Sequence, residues 1–164
     1  MFNNKNSLVE NGFEGFVSVQ DLWVDRSVIP KVRGVYLVID SNYQDTQFID
    51  PGVGGFFKGK DPNVDIEVLK NNVVSGAEVV YIGKAGSPTG KATLYSRLGQ
   101  YLRFGRTKNV GHYGGRFIWQ IKKHNELVFC WKTLDNGDPR EVEKSLLSDF
   151  QNQYGKRPLA NLTG

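Results

Sequence analysis

The chain has 164 residues, of which 39% are hydrophobic and 23% are charged. This length and composition predict one folded globular domain rather than a disordered chain. No apolar stretch approaches the roughly 20 residues needed to cross a bilayer, and residues 1–13 do not form an apolar signal segment. The single cysteine, Cys130, lies in an apolar run and is predicted to be a buried thiol in a strand. We therefore expect a cytoplasmic protein without a membrane partner.

Positive charge is concentrated in one part of the chain. Residues 79–125 contain nine lysines and arginines and no acidic residue, whereas the rest of the chain holds 12 basic and 17 acidic residues. A basic region of this kind is typical of a surface that binds a polyanion such as nucleic acid. A basic surface that binds no partner is the alternative.

The first part of the chain predicts two short helices and one strand. Ser18 and Asp21 predict the N-terminal cap of a short helix. The run 34–40, GVYLVID, is rich in β-branched and aromatic residues and predicts a strand. Residues 42–76 are rich in glycine and proline, which indicate turns, and a short helix is predicted over 65–70.

A strand and an amphipathic helix are predicted next. The run EVVYIG predicts a strand over 78–83. Leucines recur every four residues after it, at Leu94, Leu98 and Leu102, and this spacing predicts a helix over 93–104.

The last part of the chain predicts a strand pair and a final helix. Residues 116–121 and 127–133 are predicted as the paired strands. Asp138 followed by Pro139 predicts a helix start, and Gly155 predicts its end. The order of elements favours an α+β fold in which helices pack on an antiparallel sheet.

Several residues could serve phosphodiester hydrolysis, which needs a deprotonated water and neutralised phosphate charge. Tyr36 and Tyr81 lie on two different predicted strands, next to glycines that allow close approach. Arg97 and Tyr101 are four residues apart and share one face of their helix, and such an arginine can bind a phosphate through two nitrogens. Glu143 flanks the apolar stripe of the last helix. Each of these residues taken alone is also typical of ordinary structural positions.

Taken in order, GVY, YIGKA, LYSRLGQY, EKSLLSDF and RPLAN resemble the motifs of the GIY-YIG nuclease superfamily. The segment from YIGKA to Tyr101 is similar to the amino-terminal nuclease domain of the bacterial excision-repair endonuclease. The resemblance implies a three-stranded antiparallel core flanked by helices, and the sequence predicts one extra strand beside it. It also implies an endonuclease that hydrolyses DNA phosphodiester bonds at a single divalent metal.

Position by position, the resemblance implies seven catalytic residues: Tyr36, Tyr81, Lys84, Arg97, Tyr101, Glu143 and Asn161. Glu143 would ligate Mg²⁺ or Mn²⁺, since hard cations take oxygen ligands. One of the two motif tyrosines would accept the proton of the attacking water. Nearby cations are expected to lower its pKa from the ordinary value of about 10. Which tyrosine is the base stays open, and Asn161 is also expected to dock the tail against the sheet.

Five further residues are candidate contacts to nucleic acid: Arg103, Arg106, Lys108, His112 and Arg116. His112 lies in the loop GHYGGR and is either a phosphate contact or a plain surface histidine. Duplex DNA is the expected partner, and a homodimer that cuts both strands is one expected arrangement.

The domain is predicted to span 1–164. Its motif tyrosines are further apart than in the superfamily, so residues 42–76 are predicted to be an insertion and residues 1–32 an N-terminal extension. GHYGGR and FIWQI have no counterpart in the repair domain, which indicates a stand-alone enzyme closer to GIY-YIG restriction endonucleases. The alternatives are a repair or mobile-element nuclease, a non-catalytic nucleic-acid-binding module, and an unrelated α+β protein.

Overall fold

The protein has an α+β fold, in which helices pack on a four-stranded antiparallel sheet. The computed structural model describes residues 1–162. The order of strands across the sheet is β1-β4-β2-β3, so β1 and β3 form its edges. The strands are β1 (Glu14–Ser18), β2 (Gly34–Ile39), β3 (Val79–Ala85) and β4 (Val128–Thr133).

Residues 1–162 contain five α-helices, and two of them begin at the caps that the sequence predicts. The Ser18 hydroxyl accepts a hydrogen bond from Asp21 N–H, and Asp138 accepts one from Arg140 N–H. Gly155 ends the last helix with a φ of 81°, a conformation that favours glycine. Among residues 1–162 no helix is long and apolar enough to cross a bilayer. The helices are α1 (Lys5–Glu10), α2 (Val19–Val24), α3 (Ile66–Asn72), α4 (Leu94–Phe104, capped by Thr93) and α5 (Pro139–Tyr154).

The two faces of the sheet enter two different cores, because successive strand residues point to opposite sides. On one face, Tyr36 and Phe129 pack with residues of α2 and α4. On the other face, Leu37 and Cys130 pack with residues of α1 and α5. The predicted burial of Cys130 in a strand is confirmed. Both motif tyrosines lie on the α4 side of the sheet.

The predicted strand over 116–121 is wrong. The structure has a 3₁₀ helix there, Tyr113–Gln120, and the fourth strand is β1, which lies inside the predicted N-terminal extension. Residues 117–121 are all buried, and a short apolar run does not by itself distinguish a strand from a buried helical turn. Strand β4 consequently pairs with β1 and β2 instead.

Residues 42–76 pack against this 3₁₀ helix. The Gln120 side chain is 1% exposed and donates to the carbonyl oxygens of Ile49 and Val64. Its own oxygen accepts a hydrogen bond from Val64 N–H. A buried amide whose bonds are made in this way holds the segment in one position.

Candidate active site

A cavity of about 470 Å³ lies between the sheet, α4 and α5. Five of the predicted catalytic residues line it, namely Tyr36, Tyr81, Lys84, Arg97 and Glu143. The rest of its wall comes from the loop between β3 and α4 and from one helix residue, and the sequence singled out none of these side chains. They are Gly86, Ser87, Gly90, Lys91, Ala92 and Gln100.

The register of β2 and β3 places the two phenols side by side. Tyr36 lies opposite Gly83, and Tyr81 lies opposite Val38, so the two tyrosines are diagonal neighbours on one face. Their ring centroids are 6.0 Å apart. A Cβ added to Gly83 would lie 2.5 Å from Cζ of Tyr36. At this motif glycine the close neighbour is thus the Tyr36 ring, whereas the sequence led us to expect backbone or substrate there.

Replacing Gly83 by alanine is expected to lower the free energy of unfolding by about 1–3 kcal/mol, the usual cost of overpacking. The Tyr36 ring cannot move away easily, because it is 1% exposed and packs against other aromatic rings. Gly114→Ala is the control, since a Cβ there has no heavy atom within 4 Å. Urea unfolding of both variants measures the difference, and equal stabilities would contradict this packing.

His112 lies behind the phenols rather than on the surface. It is 1% exposed, so the alternative of a plain surface histidine is wrong, and its buried ring is not presented to an external phosphate. Its Nε2 is 2.7 Å from the Tyr36 hydroxyl, and its ring stacks on Tyr101 at a centroid distance of 3.5 Å. Burial, followed by the nearby charge of Arg97, holds the pKa of His112 well below its ordinary range. The imidazole is therefore neutral at neutral pH.

Arg97 is held on one side and faces the cavity. One terminal nitrogen, Nη1, donates to the carbonyl oxygen of Gly111 at 2.7 Å and to Oε1 of Gln100 at 3.1 Å. Within residues 1–162 its other guanidinium nitrogens make no hydrogen bond to the protein. A guanidinium held in this way has N–H donors left for a phosphate in the cavity.

Glu143 reaches the same cavity although α5 packs on the other face of the sheet. Because β3 is an edge strand, the Glu143 side chain can extend around that edge of the sheet and line the cavity. Burial raises the pKa of Glu143, while Lys84, Arg140 and Arg97 act in the opposite direction. Neither of the two ion pairs in the described part of the chain involves this carboxylate. It is thus half-buried and near cations, and it is not locked in a salt bridge.

Side-chain cations do not lower the pKa of the tyrosines as expected. Burial is the largest cause, and it raises the pKa of Tyr36 well above its ordinary value and that of Tyr81 to about 12. Arg97 acts in the expected direction on both phenols, but burial outweighs it. Both phenols are protonated at neutral pH, so a phenol acting as a base needs a partner that takes its proton.

Two residues predicted to be catalytic lie outside the cavity wall. The Asn161 side chain accepts from Ile82 N–H at 2.8 Å and donates to Ile82 O at 2.9 Å. The predicted docking of the tail against the sheet is confirmed, and it occurs at the free edge of β3. Tyr101 is fully buried, and its hydroxyl donates to the carbonyl oxygen of Gly115. Both residues support neighbouring parts of the site.

The predicted nucleic-acid contacts do not surround this cavity. Arg103, Arg106 and Lys108 are exposed and line a second cavity beside α4. Arg116 is partly buried, with its guanidinium 3.9 Å from the centroid of the Tyr113 ring, and it donates to Tyr113 O. The catalytic and the basic candidates thus form separate surfaces.

No protein-family model, curated protein or solved structure matches this chain.

Proposed function

We propose that the protein is a metal-dependent endonuclease of the GIY-YIG type, which hydrolyses phosphodiester bonds in DNA. The observation that carries this proposal is the single cavity shared by Tyr36, Tyr81, Lys84, Arg97 and Glu143. These side chains come from two strands and two helices, and between them they offer a base, cations and a carboxylate. The small antiparallel sheet with flanking helices is compatible with the fold that the resemblance implies.

The Glu143 carboxylate lines the cavity and takes part in neither ion pair of the described residues, so it is available to a divalent cation. Among residues 1–162 no group of three or more His, Cys, Asp or Glu could enclose a metal. Mg²⁺ commonly keeps several waters and is bound through one or two carboxylates and substrate phosphates. Glu143 would supply that carboxylate, and the bound ion would neutralise phosphate charge and stabilise the leaving oxygen.

Arg97 and Lys84 bind the scissile phosphate in this proposal. The guanidinium is already oriented by Gly111 and Gln100, so it would contact the phosphate without losing much side-chain freedom. Negative charge on the phosphate grows during attack by water, and prearranged cations stabilise that charge. Lys84 adds a second positive charge beside Glu143.

Tyr36 is the tyrosine that we assign as the base. Its hydroxyl meets Nε2 of His112, a neutral imidazole that can accept a proton. As the attacking water passes its proton to the Tyr36 oxygen, the phenolic proton would pass to Nε2 of His112 in the same step, so Tyr36 would stay neutral and the imidazole would take up the charge. His112 would therefore act as a positioning residue and proton acceptor behind the base, whereas Tyr81 would shape the cavity wall.

The test is incubation of supercoiled plasmid with the purified protein in Mg²⁺, in Mn²⁺ and in excess chelator. We expect nicked or linear DNA with either metal and none with chelator. Plasmid that is bound but never cut, with binding unchanged by metal, would instead support a non-catalytic nucleic-acid-binding module. Cutting in the presence of chelator would contradict the role of the metal.

A further inference from the structure

A groove of about 370 Å³ lies on the opposite side of α4 from the catalytic cavity. Successive residues of a helix are about 100° apart around its axis, so the directions of Tyr95 in the groove and Arg97 in the cavity differ by about 160°. The wall combines aromatic rings with four positive charges. The residues that define this α2–α4 groove are Trp23, Arg26, Tyr95, Arg103, Arg106 and Lys108.

The four cations of the groove have free hydrogen-bond donors. Within residues 1–162 none of them forms an ion pair, and none of their side chains donates a hydrogen bond to the protein. Arg97 and Arg116, by contrast, each donate to a backbone carbonyl. Asp25 is the one acidic residue in the described wall, and its carboxylate accepts from Ser27 N–H. The groove therefore carries uncompensated positive charge, which favours an anionic occupant.

The Arg26 guanidinium packs against α4 at Gly99, where the helix has no side chain. Its Cζ lies 4.9 Å from the centroid of the Tyr95 ring. A Cβ added to Gly99 would lie 3.0 Å from the same Cζ. Glycine is unfavourable in the interior of a helix relative to alanine, yet here it makes room for the guanidinium against the helix.

The aromatic faces in the groove are already covered, which argues against stacking of a nucleobase. Arg106 lies over the Trp23 ring at 4.5 Å from its centroid, and Trp23 also stacks with Trp119 at 6.0 Å. A guanidinium over a ring keeps N–H donors at its edge, where phosphate oxygens can accept them. The chemistry thus suits phosphate groups better than bases.

We propose that the α2–α4 groove binds backbone phosphates of duplex DNA, as a second binding site on the side of α4 away from the catalytic cavity. This inference rests on the proposed function, because DNA is the substrate there. One duplex can reach both sites, because a helix with its side chains is about 10–12 Å across and the major groove is about 12 Å wide.

The test is DNA binding by a variant in which the four cations become glutamine (Arg26→Gln, Arg103→Gln, Arg106→Gln and Lys108→Gln). Fluorescence anisotropy with a labelled duplex in chelator measures affinity without cleavage. We expect affinity to fall at least about tenfold, and the slope of log K against log salt to shrink by about 0.9 for each phosphate that the variant no longer neutralises. The control removes the same charge from exposed lysines outside residues 79–125, Lys5, Lys58, Lys60 and Lys70, and should change affinity less than the groove variant.

A second variant, Gly99→Ala, tests the groove without removing charge. The new methyl group would lie 3.0 Å from Cζ of Arg26, so the guanidinium must shift by a few tenths of an ångström, while alanine favours the helix. We expect weaker DNA binding together with an unchanged or higher melting temperature. Unchanged affinity and salt slope in both variants would overturn the proposal. Sedimentation with phosphatidylserine vesicles that depends on the four cations, with DNA affinity unaffected, would also overturn it in favour of a lipid surface.

Cleavage kinetics separate this proposal from the proposed function. If both hold, the four-site variant has a raised KM and an unchanged kcat. A wild-type protein that binds DNA through the groove but never cleaves it would end the nuclease proposal and leave the groove intact. A protein that cleaves DNA with equal KM and affinity in wild type and variant would end the groove proposal alone.

Discussion

Replacement of Glu143 by glutamine is expected to reduce the rate of DNA cleavage by at least about 10²–10³-fold, the usual cost of removing one electrostatic contact to a transition state. The loss should be larger if the carboxylate is the only protein ligand of the metal. Glutamine keeps the size and shape of the side chain and removes its charge. Plasmid nicking in Mg²⁺ measures the rate, and higher Mg²⁺ should restore little of it.

Glu141→Gln is the matched control for this change. Glu141 lies on the same helix, is exposed, and forms a surface ion pair with Lys144 at 3.8 Å. Such a pair contributes about 0–1 kcal/mol to stability, so this variant should cut at the wild-type rate. Equal rates in the Glu143 and Glu141 variants would remove the carboxylate from the mechanism.

Thermal unfolding distinguishes a functional role of Glu143 from a structural one. Burial raises the pKa of this residue, so its charged form is disfavoured in the folded protein. A neutral glutamine should therefore leave the melting temperature unchanged or raise it. If Glu143→Gln loses activity but keeps or raises its melting temperature, the residue serves function at a cost in stability, as is typical of an active site. If the variant loses both activity and melting temperature, the residue has a structural role.

Local signals predicted the helices and strands that position the site. The cap at Asp138 and the spacing of leucines in α4 act within one or two turns of helix, so the sequence alone defines them. The run 117–121 depends instead on distant partners. Its Gln120 side chain bonds residues of the segment 42–76, and no local pattern reveals such contacts.

The sequence predicted those residues of the candidate site that belong to the ordered set of motifs. Tyr36, Arg97 and Glu143 were placed by their motifs, and the structure brings them to one cavity. The burial of His112 was not predictable, because a loop folds it under α4 through bonds far apart in sequence. Likewise, Arg26 joins the α2–α4 groove from an N-terminal segment that carries no motif.

Replacement of Tyr36 by phenylalanine is expected to lower kcat by about 10²–10⁴-fold, which is the usual contribution of a general base. The ring stays in place, so the cavity keeps its shape and only the hydroxyl is lost. Tyr81→Phe is the control, because His112 bonds the Tyr36 hydroxyl and not that of Tyr81. The ratio of the two kcat values decides between the phenols, and a larger loss in Tyr81→Phe would assign the base to Tyr81.

The role of His112 follows from combining its substitution with that of Tyr36. Phenylalanine at position 36 leaves the buried Nε2 without its partner, so some stability is lost, about 1–3 kcal/mol, and each variant must be compared at a temperature where it is folded. If Tyr36 and His112 act as one unit, Tyr36→Phe combined with His112→Gln should lower kcat no further than Tyr36→Phe alone. Independent losses that multiply in the double variant would mean that His112 only supports the fold. The chemistry would then need another acceptor for the phenolic proton, since burial keeps Tyr36 protonated at neutral pH.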